Sequence, residues 1–170
     1  MSQGTLELHL HTEKGIPMAA ALLPRVPNSL YGKYTIRFAV DAPLKGFKTA
    51  WLLWPNSETW PRDGEIDFPE GDLNSTVGGF VHHQGATSGS DQDAFSTKTV
   101  YTGWHTASTE WTPGKVTFIL DGKIIGMTTK RVPNTPMHWV VQTEACLDGC
   151  PSPSVASTLR IGWIVAYKQA

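Results

Sequence analysis

"GEIDFPEG", residues 64–71, is the stretch on which the reading of this chain turns. It holds three carboxylates, Glu65, Asp67 and Glu70. Ile66 and Phe68 alternate with the first two acids, the period-two pattern of a strand with one apolar and one acidic face. Glu65 and Asp67 share a face, but Glu70 falls on the opposite parity. One extra residue in the strand, a bulge, would restore it. Pro69 marks the place: proline has no N–H to give to a ladder and within sheets is confined to edges and bulges. A bulge at Phe68-Pro69 therefore turns all three acids to one side. Like charges set so close raise one another's pKa. That cost, together with the apolar opposite face, separates this stretch from a solvated acidic turn.

The same period runs through the rest of the chain. "TLELHLHTE" (5–13) sets Leu6, Leu8 and Leu10 against Glu7, His9 and His11, and "YGKYTIRFAVD" (31–41) repeats the pattern with Tyr34, Ile36, Phe38 and Val40. "KTAWLLWP" (48–55) is a near-continuous apolar run, as in a central strand. After the acid strand come strand patterns at 77–85, 104–113, 115–130, 137–145 and 157–168. Asp121-Gly122 between two alternating runs predicts a hairpin. The Ser-, Thr-, Gly- and Asp-rich stretch Ala86–Thr99 reads as a surface loop. No segment keeps a helical period, and twelve Pro and sixteen Gly punctuate short strands. The expectation is one all-β domain over residues 1–170, with no linker and no repeat.

Composition narrows the function classes. A net charge of −1 and the lack of any Lys/Arg run argue against a nucleic-acid partner. The apolar runs are far too short to span a bilayer as a helix, so no membrane partner is expected. Cys146 and Cys150 bracket Leu-Asp-Gly, a turn-forming stretch, and are expected to close a small disulfide loop. Two free thiols in a reduced compartment is the competing reading. The pair lacks further Cys or His partners at zinc spacing. With the disulfide goes an expectation of a secreted protein.

Three acids on one face suit two chemistries. In glycoside hydrolysis one carboxylate attacks the anomeric carbon while another donates and then accepts a proton, and an intervening Asp helps to separate their pKa values. In metal binding the same oxygens would hold Ca²⁺ or Mg²⁺, with Asp63, Asp72, His82 and His83 near enough in sequence to add ligands. The seven Trp favour the first, because sugar rings present flat apolar faces to aromatic rings. Trp51, Trp54 and Trp60 lead into the acids and are the candidate stacking residues. His82 is a further candidate for contact with substrate or with Glu65. Gln142 and Glu144, sharing a face with His138, complete the set.

Glu65-Ile66-Asp67-Phe68-Pro69-Glu70 resembles the E-x-D-x-x-E signature of glycoside hydrolase family 16 in its bulged, laminarinase-like form. The resemblance extends to Tyr31-Gly32-Lys33-Tyr34 followed by Ala50-Trp51-Leu52-Leu53, to Trp60-Pro61 and Phe80-Val81-His82, and to Trp104-His105-Thr106 with Glu110-Trp111-Thr112-Pro113. It closes on Ile161 to Tyr167. It implies a concanavalin A-like jelly-roll sandwich of two antiparallel sheets, with an open substrate cleft on the concave sheet. It implies Glu65 as nucleophile, Asp67 as its helper and Glu70 as acid/base, with Glu70 protonated and Glu65 ionised in the free enzyme. The implied substrate is a β-linked polysaccharide, β-1,3- or β-1,3-1,4-glucan, cleaved internally with retention. Members of the family also cleave galactans, and the polar strand 137–145 keeps that reading open. A non-catalytic, lectin-like sandwich is the binding-module alternative. No cofactor and no catalytic metal are expected. Structural Ca²⁺ fits such folds, without ligands assignable in this sequence. The expected oligomeric state is a monomer.

Overall fold

The computed structural model describes residues 4–168, so the extreme ends of the expected 1–170 domain lie outside the described residues. Among the described residues every helix or strand is a strand. The first five are β1 (Leu6–Glu13), β2 (Ile16–Met18), β3 (Ala21–Leu22), β4 (Gly32–Val40) and β5 (Phe47–Pro55). Next come β6 (Glu65–Asp72), β7 (Thr76–His82), β8 (Gln92–Val100) and β9 (Gly103–Thr112). The last four are β10 (Lys115–Leu120), β11 (Lys123–Thr128), β12 (Met137–Ala145) and β13 (Ser157–Tyr167). They form two antiparallel sheets, one of seven strands ordered β11-β10-β9-β4-β13-β1-β2 and one of six ordered β3-β12-β5-β6-β7-β8. This is the expected jelly-roll sandwich.

The alternating side chains explain how the sheets stack. Tyr34, Ile36, Phe38 and Val40 of β4 all point into the core. From the other sheet Trp51 meets Phe38 edge-on at 5.0 Å, Trp139 meets Tyr34 at 5.4 Å, and Phe68 stacks on Phe118 at 4.7 Å. Burying such rings is the main favourable term holding the layers together. The Asp121-Gly122 hairpin forms as expected: both residues have positive φ, 49° and 78°, as a two-residue type I′ turn requires.

Two expectations are corrected. Residues 92–99 belong to strand β8, not to a surface loop. As an edge strand with one outer face it needs little apolar surface. Phe95, turned inward onto Phe118, supplies most of what it buries. Trp51, expected to stack on sugar, is 1% exposed and sits in the core between the sheets. On β5 it has the parity of Phe47 and Leu53, which are core, and not that of Lys48 and Trp54.

Candidate active site

The bulge is where Pro69 predicted it. Asp67 pairs with Phe80 and Glu70 with Gly78 on β7, while Leu52 pairs with Asp67 and Ala50 with Glu70 on β5. From Asp67 to Glu70, β6 therefore has one residue more than either neighbour, and the surplus lies at Phe68-Pro69. Ile66 and Phe68 stay in the core. The three acids share the outer face of the six-stranded sheet.

What surrounds them follows from the ladder, since residues directly opposite share a face. Opposite Glu65 is His82, whose Nε2 lies 3.3 Å from Asp67 Oδ2 and 3.8 Å from Glu65 Oε2. Lys48 on β5 places its ammonium 2.8 Å from Glu70 Oε1. Glu144 stands opposite Lys48 and Gln142 opposite Ala50, and Gln142 donates to Glu144 at 3.1 Å. At the Glu65 end, Trp54 and Trp60 lie nearly parallel with centroids 6.3 Å apart, and Trp60 meets the His82 ring edge-on at 5.8 Å. Trp60 is 41% exposed, leaving a ring surface open to a ligand. Beside Glu70 is a hollow of about 330 Å³ whose lining includes Lys48, Asp72, Gly78, Phe80 and Ser96. The structure thus brings together every expected site residue on one face except Trp51.

The charge distribution departs from the expected one. Burial pushes Glu65 up to about 9, aided by the Asp67 carboxylate and opposed by His82 and a hydrogen bond from Trp60. Burial also raises Asp67 well above the ordinary range, reinforced by the charge of Glu70 and opposed by Glu65 and Lys48. Neither Asp67 oxygen meets a protein donor, so a proton shared with Glu65 or His82 is what can satisfy this buried carboxylate. The expectation of an ionised Glu65 in the free enzyme is corrected accordingly. Lys48, although burial opposes its charge, is raised by its hydrogen bond to Glu70 and by the charges of Glu70, Glu144 and Asp72.

Among the described residues, ligand atoms of Glu65, Asp67 and His82 lie within 4.8 Å of one another, so these three form a group that could hold a divalent ion. Of the further ligands proposed from sequence, His82 joins the two acids, whereas Asp63 and His83 are engaged elsewhere. Asp63 is bound by Arg62 and Ser57, and His83 faces Asp91 and Asp93. Cys146 and Cys150 are joined by a disulfide just after β12, as expected.

Lys48 and the groups around His83 were not anticipated. The signal for Lys48 was present: it shares parity with Trp54 near the head of a mostly apolar strand. The residues around His83 come from three separate stretches and carry no local pattern.

A bulged acidic strand beside an aromatic wall, on one face of a β-sandwich, defines a carbohydrate-active enzyme. The chain belongs to glycoside hydrolase family 16: the family model described as "Glycosyl hydrolases family 16" matches residues 2–155. The protein is a glycoside hydrolase. Its fold is similar to that of the laminarinase from Rhodothermus marinus, with a TM-score of 0.79 at 20% identity over 99% of this chain and 79% of that one. It is similar also to the Bacillus licheniformis β-glucanase, with a TM-score of 0.76 at 16% identity over 100% of this chain and 81% of that one. A third similar structure, from work on endo-acting O-glycanases of the human gut microbiota, gives 0.79 at 16% identity over 99% and 81%. No curated protein matches the chain by sequence.

Proposed function

We propose that the protein is a retaining, endo-acting hydrolase of a β-linked polysaccharide, with β-1,3- or β-1,3-1,4-glucan as the first substrate to test. The observation that carries this is the bulge, which sets Glu65 and Glu70 on the same face on either side of Asp67. Glu65 attacks the anomeric carbon while Glu70 protonates the departing oxygen. Glu70 then takes a proton from water, which releases sugar from the glycosyl-enzyme ester at Glu65. Glu65 must first be ionised. The proton that Glu65 shares with the Asp67 carboxylate passes to His82 Nε2, 3.8 Å from Glu65 and 3.3 Å from Asp67, which leaves Glu65 free to attack. Trp54 and Trp60 stack on sugar rings at the Glu65 end of a substrate cleft, and the hollow beside Glu70 takes the leaving side. The disulfide supports a secreted enzyme.

A galactan or O-glycan is the second substrate reading, favoured by the polar pair Gln142 and Glu144, which offers hydrogen-bonding edges where a flat glucan face needs few. A screen against laminarin, mixed-linkage glucan, agarose, carrageenan and xyloglucan separates the two. NMR of the first-formed reducing end tests the mechanism: a β anomer is expected, and an α anomer overturns the assignment of Glu65 as nucleophile. Glycan binding without turnover would favour a lectin-like module. Loss of turnover on chelation would favour a metal at Glu65, Asp67 and His82.

A further inference from the structure

Directly after His82 the chain leaves β7 for residues 83–91, and the side chains that hold this loop have no part in the chemistry above. His83 is completely buried, with Nδ1 2.8 Å from Asp91 Oδ1 and Nε2 3.1 Å from Asp93 Oδ2. Arg131, from the connection between β11 and β12, reaches the same Asp91 oxygen at 2.5 Å. Thr128 donates to Asp93 at 2.6 Å, and Lys130 lies 3.9 Å from it. The backbone is stitched as tightly: Gln84 N–H donates to the Arg131 carbonyl at 2.6 Å, and Gly85 N–H to the Arg62 carbonyl at 2.7 Å. Hydrogen bonds from Arg131 and His83 hold Asp91 down to about 2. His83 Nδ1, Asp91, Arg131 and Asp93 are hydrogen-bonded in this network, while the buried His83 Nε2 has only the ion-pair approach to Asp93, and the bonded members rigidify what they join.

The loop delivers two contacts to the active site. The Gly89 carbonyl lies 2.9 Å from His82 Nδ1. A carbonyl only accepts, so Nδ1 carries the hydrogen, and Nε2 is left facing Asp67. Gly89 also packs against the outer edge of the Trp60 indole, and a Cβ there would run into Trp60 Cη2. The loop therefore sets the tautomer of one site residue and the seat of another.

We propose that His83, Asp91 and Arg131 are positioning residues that lock the 83–91 loop, so that Gly89 fixes His82 in its Nδ1–H form and supports Trp60. The proposal rests on the reading of Glu65, Asp67 and Glu70 as glycosidase acids, because its effect on turnover is exerted through His82.

The test uses Asp91→Asn and, as a milder change at the surface, Arg131→Met. Two-bond ¹⁵N–¹H correlation spectra of the intact protein should show the hydrogen of the His82 ring on Nδ1 in the wild type. In the variants they should show a population with it on Nε2. The kcat per folded molecule on the best substrate of the screen should fall by about 10- to 100-fold, with KM changing less. A wild-type Nε2–H tautomer, variants that keep the wild-type pattern, or variants with lowered Tm and unchanged kcat would each overturn the proposal. If the wild type cleaves no glycan, the functional reading fails, while the ring spectra still decide whether the loop sets the tautomer.

Discussion

Asp67 and Glu70 have two residues between them in sequence, yet they are successive members of one row of side chains on β6, because Asp67 pairs with Phe80 and Glu70 with Gly78. Retention requires the working carboxyls to lie ~5–5.5 Å apart. Five steps of a flat strand would separate the backbones by ~16 Å at ~3.3 Å per residue. The long Glu side chains must lean toward each other over Asp67, and the bulge gives them a common side on which to do so. Azide separates their roles. With an activated aryl glycoside, Glu70→Ala should still form the glycosyl enzyme, and azide should release a glycosyl azide of retained configuration. Glu65→Ala should instead yield the inverted azide. Inverted azide from Glu70→Ala would exchange the two roles. Polysaccharide turnover by Glu70→Ala should fall by about 10²–10⁴.

Asp67→Asn should move the acid limb of the kcat/KM profile to lower pH. Burial and the Asp67 charge together lift Glu65 to about 9, so removing that charge eases ionisation of the nucleophile. The same shift has a sign for stability. With its pKa raised from 4.5 to about 9, Glu65 binds more proton folded than unfolded between those values, and stability falls as pH rises through that window. Glu65→Gln should flatten that decline in Tm, at about 2–4 °C for each kcal/mol recovered. A limb that stays in place in Asp67→Asn would remove Asp67 from control of Glu65.

Trp51 and Trp60 should respond in opposite ways to truncation. Trp51 is sealed against Phe38, and Trp51→Ala should cost about 3–5 kcal/mol of stability through the cavity it leaves. Trp60 has an open ring face, and Trp60→Ala should raise KM or lower kcat/KM with the fold intact. Urea unfolding alongside kinetics checks both. Unfolding of Trp60→Ala without loss of activity per folded molecule would make that residue structural.

The contrast between these two Trp residues shows where the sequence stops being legible. The acid strand could be read because Ile66 and Phe68 alternate with the acids and Pro69 announces the bulge. The hairpin at Asp121-Gly122 could be read because two positive-φ positions demand such residues. "KTAWLLWP" has no alternation, since β5 is central and mostly buried on both faces, so parity alone could not say which Trp faced the core. Strand β8 hid for the opposite reason: an edge strand needs few apolar side chains, and Phe95 is not a pattern. The His83 cluster draws on positions 83, 91, 93 and 131, and only the folded chain brings them together. The charge on Glu65 was misread because burial, with the Asp67 charge, outweighs His82 and the Trp60 hydrogen bond, and burial is a property of the packed site.

Lys48 tests whether Glu70 must be held as well as present. Its ammonium touches Glu70 and also sees Glu144 and Asp72, so Lys48→Met removes the cation that these three carboxylates share. Glu70 should then turn away from the scissile oxygen, because repulsion replaces the contact that aimed it. Turnover of polysaccharide, whose leaving alcohol needs a proton, should fall by about tenfold or more, within the range for a misplaced catalytic group. A dinitrophenyl glycoside needs no such proton, and the rate of its first step should change little. Lys48→Arg, which can keep an ion pair to Glu70, should recover part of the polysaccharide rate. The comparison is internal to each variant, so a general loss of folded protein lowers both substrates alike and is recognised as such. Equal losses on the two substrates would show that Lys48 serves the fold of the face and does not position the acid.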